Sequence, residues 1–188
     1  MMNELPTEKT LIIIPTYNEI DNIERMIKTI FDLYPSISLL IIEDGSPDGT
    51  ADVVKKYQET NAKLHMIQRT GKQGLATAYT TGFKWAIEKD FEYVFEMDCD
   101  FSHDPAQVKD LLSAATENDL VIGSRYIDGI RIINWPFHRL LLSYLASIYT
   151  RFVTNIPVCD TTGGFKCFSR KALLSLDLDN VISKGYIF

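Results

Sequence analysis

Five short apolar runs, separated by stretches with helical spacing, constrain this chain more than any other feature. Thr10–Ile14 runs into Pro15 and reads as a buried strand that stops there. Ile20, Ile23, Ile27, Ile30 and Phe31 follow at the spacing of one helix face, with Asn18 as the expected N-cap and Pro35 as the stop. The pattern repeats: strands over Leu39–Ile42, Lys63–Gln68, Tyr93–Met97 and Leu120–Gly123, and helices over Asp48–Glu59, Gly74–Lys89 and Pro105–Glu117. Strands alternating with helices of this length predict an α/β fold with a mostly parallel sheet and helices on both faces. Right-handed crossovers then bring the C-terminal ends of the strands to one rim, where open α/β sheets bind ligands. The residues expected there are Pro15 to Glu19, Asp44 to Ser46, Arg69 to Lys72, Asp98 to Asp100 and Ser124 to Tyr126, all polar, charged or turn-forming but for Cys99.

At 188 residues, with 46% hydrophobic and 23% charged residues, the chain is long enough for one domain with a self-sufficient core. Its net charge of −6 speaks against a nucleic-acid binder, which needs a basic face. The three cysteines, Cys99, Cys159 and Cys167, include no C-x-x-C pair, so neither a disulfide framework nor a zinc ribbon is indicated, and a reducing, cytosolic setting fits. No apolar run reaches a membrane-spanning length, and the N-terminus lacks the plan of a signal peptide. The longest apolar stretch, Leu140–Val153, is interrupted by Ser143, Ser147 and Arg151 and suits a helix lying on a bilayer.

Asp98-Cys99-Asp100 is the sharpest chemical signal. Residues two apart in extended chain share a face, so both carboxylates project together from the end of an apolar strand. Two such charges suit a hard divalent ion, Mg²⁺ or Mn²⁺, shared with substrate phosphate. His103 follows closely and is a candidate ligand, although a lone loop histidine is more often simply hydrogen-bonded. Asp44 and Gly45 open a turn at a strand end, where a carboxylate meets a nucleotide's base or ribose and a glycine admits the ligand close to the backbone. Gly71-Lys72-Gln73-Gly74 leads into a helix and offers Lys72 to a diphosphate, without the spacing of a Walker loop or of a dinucleotide fingerprint. From Arg125 to Arg151 the acidic chain becomes basic, with Asp128 as the sole acid, and the arginines are interleaved with aromatic and aliphatic residues. Arg139 and Ser143 lie one helical turn apart there. Asp160, before Gly163-Gly164, is a carboxylate candidate facing a transferred group.

Taken together and in order, these motifs resemble the inverting family 2 glycosyltransferases of the GT-A fold, and within them the dolichol-phosphate and polyprenol-phosphate mannosyltransferases. The segments that carry the resemblance are Pro15–Glu19, Asp44–Thr50, Gly74–Tyr79, Asp98–His103, Gly123–Tyr126, Asn134-Trp135 with Arg139 and Ser143, Thr162–Phe165 and Lys184–Tyr186. The resemblance implies that Pro15, Tyr17, Glu19, Asp44, Gly45, Lys72 and Asp98 hold a nucleotide sugar, GDP-mannose or a UDP-hexose. It implies that Asp98 and Asp100 bind the ion, and that Arg125, Arg139 and Ser143 seat the phosphate of a polyprenyl acceptor. The catalytic set is then Asp98, Asp100, Arg125 and Asp160, and the protein works at the cytoplasmic face of a membrane. Cys99 stands where the family usually has alanine and is expected to face away from the ion. The chain ends at Phe188 inside a matching segment, so a single GT-A domain truncated at its C-terminus is expected.

A phosphate monoester is largely ionised near neutral pH and needs no base to attack; a hydroxyl acceptor does. Two other readings therefore stay open: transfer to a sugar hydroxyl in polysaccharide or glycan synthesis, with an essential carboxylate base, and a nucleotide-sugar-binding module without catalysis.

Overall fold

In a computed structural model the described residues are 5–124, 137–155, 158, 160 and 162–181, with the backbone alone described for 137–144 and 147. Strands β1 (Thr10–Thr16), β2 (Ser38–Glu43), β3 (Leu64–Gln68), β4 (Tyr93–Glu96), β5 (Leu120–Ile122) and β6 (Lys166–Ser169) form one sheet in the order β3-β2-β1-β4-β6-β5. β1 pairs in parallel with β2 and β4, and β2 with β3. β6 is antiparallel to both β4 and β5, so β5 points the same way as β4. The five expected strands thus all run toward one rim, and the sixth is a short reversed insertion between two of them.

Alternation along the strands sorts the core into two layers. Ile12, Ile14, Leu39 and Ile41 pack against helices α1 (Ile20–Leu33), α2 (Thr50–Gln58) and α4 (Val108–Ala115). Leu11, Ile13, Leu40 and Ile42 face α3 (Leu75–Glu88) and α6 (Arg170–Ser175) on the other side. Every residue of β2 is buried, as expected of a parallel strand covered on both faces. Helix α1 presents Ile23, Met26, Ile27 and Ile30 to the sheet; the expected period holds from Ile23 to Ile30, while Ile20, expected on the same face, is exposed. Helix α5 (Phe137–Thr154) completes the set.

Three local expectations are corrected. β1 does not stop at Pro15 but runs through it to Thr16, in register with Ile42 and Glu43. The missing N–H of proline belongs to the other side of the strand: Ile13 accepts from the N–H of Met97, so Pro15, two residues on, faces β4. Without a donor there the β1–β4 ladder ends, and the two strands part where the Asp98 turn begins. Second, Asn18 does not cap α1; it sits at φ +59°, the N-cap is Glu19, and the first free N–H, of Ile20, donates to Asp48 Oδ2 at 3.1 Å. Third, the stretch from Pro105 begins with a single 3₁₀ turn, Pro105–Gln107, before α4 starts at Val108, with Asp104 accepting from the N–H of Ala106.

Candidate active site

The rim is built by turns that hold themselves. After β2, the buried Glu43 accepts from the N–H groups of Gly45 and Ser46, at 3.1 and 2.5 Å, which folds the chain back over its strand. Gly45 sits at φ +71°, and a side chain there would lie 3.2 Å from the backbone of Gly71, so glycine lets the two rim loops touch. Ser46 and Thr50 in turn accept from the N–H groups of Asn18 and Glu19, fastening the β1 turn to the β2 turn.

Asp44 is buried at 6% exposure and is not free in the way the sequence suggests. Arg69, at the end of β3, grips both of its oxygens, Nε to Oδ1 at 2.6 Å and a terminal nitrogen to Oδ2 at 2.8 Å. The same guanidinium donates to Thr77 Oγ1 and to the carbonyl of Gly74. Arg69 was visible only as a strand-end residue, because its partner lies 25 positions away. Lys72, on the neighbouring loop, stands over the exposed ring of Tyr17 at 4.9 Å from its centroid, a cation–π contact across the rim.

Beyond β4, which ends at Glu96, the chain turns sharply, so the two carboxylates project from a turn and not, as expected, from one face of an extended strand. Asp98 is half-buried and Asp100 exposed, while Cys99 between them packs into the core. Asp100 Oδ1 accepts from Ser102, from its N–H at 2.9 Å and its hydroxyl at 2.5 Å. Phe101 takes φ +61° with the Arg25 guanidinium 4.4 Å above its ring. Burial pushes the Asp98 carboxyl above its usual range and the Asp100 charge adds to that, while His103, Tyr79 and Lys166 pull it down. A divalent cation held there would favour the charged carboxylate. Two carboxylates on one turn, one half-buried and one exposed, fit Mg²⁺ or Mn²⁺, which take one or two carboxylates and complete their shell with substrate phosphate and water. Among the described residues no third His, Cys, Asp or Glu joins them.

Below this turn lies a pair that the sequence did not reveal. Glu96, 1% exposed, accepts from the Lys166 ammonium at 2.8 Å, in register across β4 and β6. Burial raises the Glu96 carboxyl from 4.5 to about 7 despite that partner, and its Oε1 has no hydrogen-bond partner among the described residues. Asp160 is 1% exposed, and its carboxylate accepts weakly from the N–H of Thr162 at 3.3 Å. Arg125 lies outside the described residues, as do the side chains of Arg139 and Ser143, whose backbone belongs to α5. Lys184–Tyr186 also falls outside them.

A family model described as glycosyl transferase family 2 matches residues 11–176, from β1 to the end of the sheet and beyond. The chain belongs to glycosyl transferase family 2. The chain is 40% identical to the polyprenol monophosphomannose synthase of Mycolicibacterium smegmatis, over 97% of this chain and 70% of that protein. It is 39% identical to the undecaprenyl-phosphate mannosyltransferase of Micrococcus luteus, over 96% of this chain and 74% of that one. Two solved structures share the fold. A mannosyltransferase from Pyrobaculum calidifontis, in complex with GDP-Man and Mn²⁺, aligns at TM-score 0.57 and 22% identity over 90% of this chain and 46% of its own. Glucosyl-3-phosphoglycerate synthase from Mycobacterium tuberculosis, with Mn²⁺ and UDP, aligns at 0.68 and 19% identity over 99% of this chain and 65% of its own. Membership makes this a GT-A glycosyltransferase, with the sheet and helices expected from the alternation of its sequence.

Proposed function

We propose that this glycosyltransferase moves mannose from GDP-mannose to a polyprenyl phosphate, with inversion at the anomeric carbon. The observation that carries the reading is the Asp98–Asp100 turn, set at the rim beside the strand whose far neighbour ends in Asp44. The polyprenyl acceptor and the mannosyl group rest on the names of two relatives near 40% identity.

Each rim residue then has a task. Pro15, Glu19, Asp44 and Gly45 shape the nucleoside side of the crevice, and Tyr17 with Lys72 bracket its open edge. Lys72 offers a charge to the diphosphate. Asp98 and Asp100 hold Mg²⁺ or Mn²⁺. When bound, such a cation offsets the charge that builds on the departing nucleoside diphosphate. The attacking oxygen belongs to a phosphate, which is already ionised, so no side chain needs to take its proton. Arg125, Arg139 and Ser143 seat that phosphate and set its line of approach. Asp160, buried before β6, faces the transferred group and is not required as a base on a phosphate acceptor.

The acceptor lives in a membrane, and α5 offers a face for one. Leu145, Ile148, Tyr149, Phe152 and Val153 are exposed at helical spacing, with Arg151 beside them. From residue 129 to 159 the chain holds no Asp or Glu. An apolar stripe flanked by arginine suits an anionic lipid surface. No helix among the described residues is long and apolar enough to cross a membrane. The free thiols of Cys99 and Cys167 fit the reducing, cytoplasmic side.

Purified protein with Mn²⁺ and a polyprenyl phosphate is expected to form a lipid-linked mannose from labelled GDP-mannose and far less product from UDP-glucose. EDTA is expected to abolish it, and Asp160→Asn to retain it. No lipid-linked product from either donor overturns the reading. Product formed only on a sugar hydroxyl, and lost in Asp160→Asn, assigns the other acceptor class.

A further inference from the structure

The turn that carries Asp98 is anchored from outside itself. The backbone N–H of Asp98 donates to Nδ1 of His103 at 3.1 Å. A ring nitrogen that accepts carries no proton, so the imidazole proton sits on Nε2. That nitrogen lies 3.8 Å from Oδ2 of the Asp98 carboxylate. The flat face of the ring rests on Phe165, with centroids 5.1 Å apart and planes 11° from parallel. Phe165 is buried and immediately precedes β6, whose Lys166 is paired with Glu96 of β4. His103 is therefore held by Phe165 at one face, accepts from the Asp98 backbone through Nδ1 and brings Nε2 near the Asp98 carboxylate. Gly164 leaves the room it needs: a Cβ there would lie 3.3 Å from Cε1 of the ring and 3.9 Å from Asp98 Oδ2.

We propose that His103 is a positioning residue and not a metal ligand: clamped on Phe165, its imidazole sets the bearing of the Asp98 carboxylate before the cation arrives. The proposal rests on the reading that Asp98 and Asp100 take the ion. Asp100 is held separately, by the N–H and hydroxyl of Ser102, so losing the clamp disturbs one carboxylate and leaves the other in place. Supports of this kind tune metal affinity because a ligand that must be reoriented on binding loses part of the gain.

His103→Phe keeps the stack on Phe165 and removes both nitrogens. His103→Asn returns an acceptor near the position of Nδ1. Mn²⁺ binding in the presence of GDP, read from the electron paramagnetic resonance signal of free Mn²⁺, is expected to weaken about tenfold in His103→Phe and to recover most of that in His103→Asn. Turnover at saturating Mn²⁺ is expected to stay within about twofold of wild type, because the clamp sets the ligand and not the reacting atoms. Gly164→Ala, which presses on the ring without removing it, is expected to weaken Mn²⁺ binding by a smaller factor, and it carries the test if His103→Phe does not fold. Mn²⁺ binding unchanged in both variants overturns the clamp. Loss that His103→Asn does not relieve at all also overturns it. Wild-type protein that holds no Mn²⁺ with GDP present overturns the metal reading and the clamp with it.

Discussion

Two buried charge pairs at the rim do different work. The Asp44–Arg69 pair is almost completely enclosed, with side chains 8% and 7% exposed, and ties the β2 end to the loop that carries Lys72. Removing one partner of such a pair leaves a bare buried charge, which costs more than the pair itself contributes. Arg69→Met is therefore expected to lower unfolding stability by roughly 3–5 kcal/mol in urea titrations. Arg69→Met with Asp44→Asn is expected to recover part of the loss, since the stranded carboxylate is gone. Glu96 is the second case. Its carboxyl rises from 4.5 in the unfolded chain to about 7 in the fold, so the folded state holds a proton that the unfolded state has released over that interval. The stability contributed by this group is complete below the lower value and is lost as pH rises through the upper one. Glu96→Gln mimics the protonated form at every pH. Relative to wild type it is expected to gain stability between pH 5 and pH 8, by at most about 3 kcal/mol. Urea midpoints at four pH values measure this, and a difference that does not change with pH refutes it.

Between elements, one close contact sets the height of a helix over the sheet. A Cβ at Gly82 on α3 would meet Cδ1 of Ile13 at 2.7 Å and Cγ2 at 2.8 Å. Ile13 is fully buried in the central strand and has nowhere to turn. Gly82→Ala is expected to lift α3 from β1 and cost roughly 1–3 kcal/mol, measured by thermal or urea unfolding, although alanine is the better helix former. Ile13→Val in the same chain is expected to restore part of it. The consequence reaches the rim, because α3 starts one residue after Gly74, whose carbonyl Arg69 holds. Pro15 acts at the same scale. By withholding a donor from β4, it ends the ladder one strand away from Asp44 and opens the sheet where the donor is expected to sit.

For the whole molecule, charge and apolar surface are segregated. The chain carries −6 overall, yet α5 and its flanks hold arginine without acid, and α5 exposes Phe152 at 88% and Tyr149 at 69%. Phe152→Glu is expected to reduce sedimentation with anionic vesicles by about tenfold, the cost of losing one buried aromatic side chain, with GDP binding unchanged. Equal vesicle binding by the two proteins removes α5 from the membrane. The alternation of apolar runs named the five parallel strands, four of the helices and the rim that bears Asp44, Asp98 and Asp100, because those signals are local: a strand or helix buried on a known face repeats every two or every three to four residues. β6 carried no such signal. It is four residues long and lies antiparallel between β4 and β5. The partners Arg69 of Asp44, Lys166 of Glu96 and Phe165 of His103 stand 25, 70 and 62 positions from them in the chain. Local pattern alone therefore carried the class of fold and the place of the acidic pair at its rim. Which charges are open and which are already held rests on strands meeting side by side in an order their own periodicity does not encode.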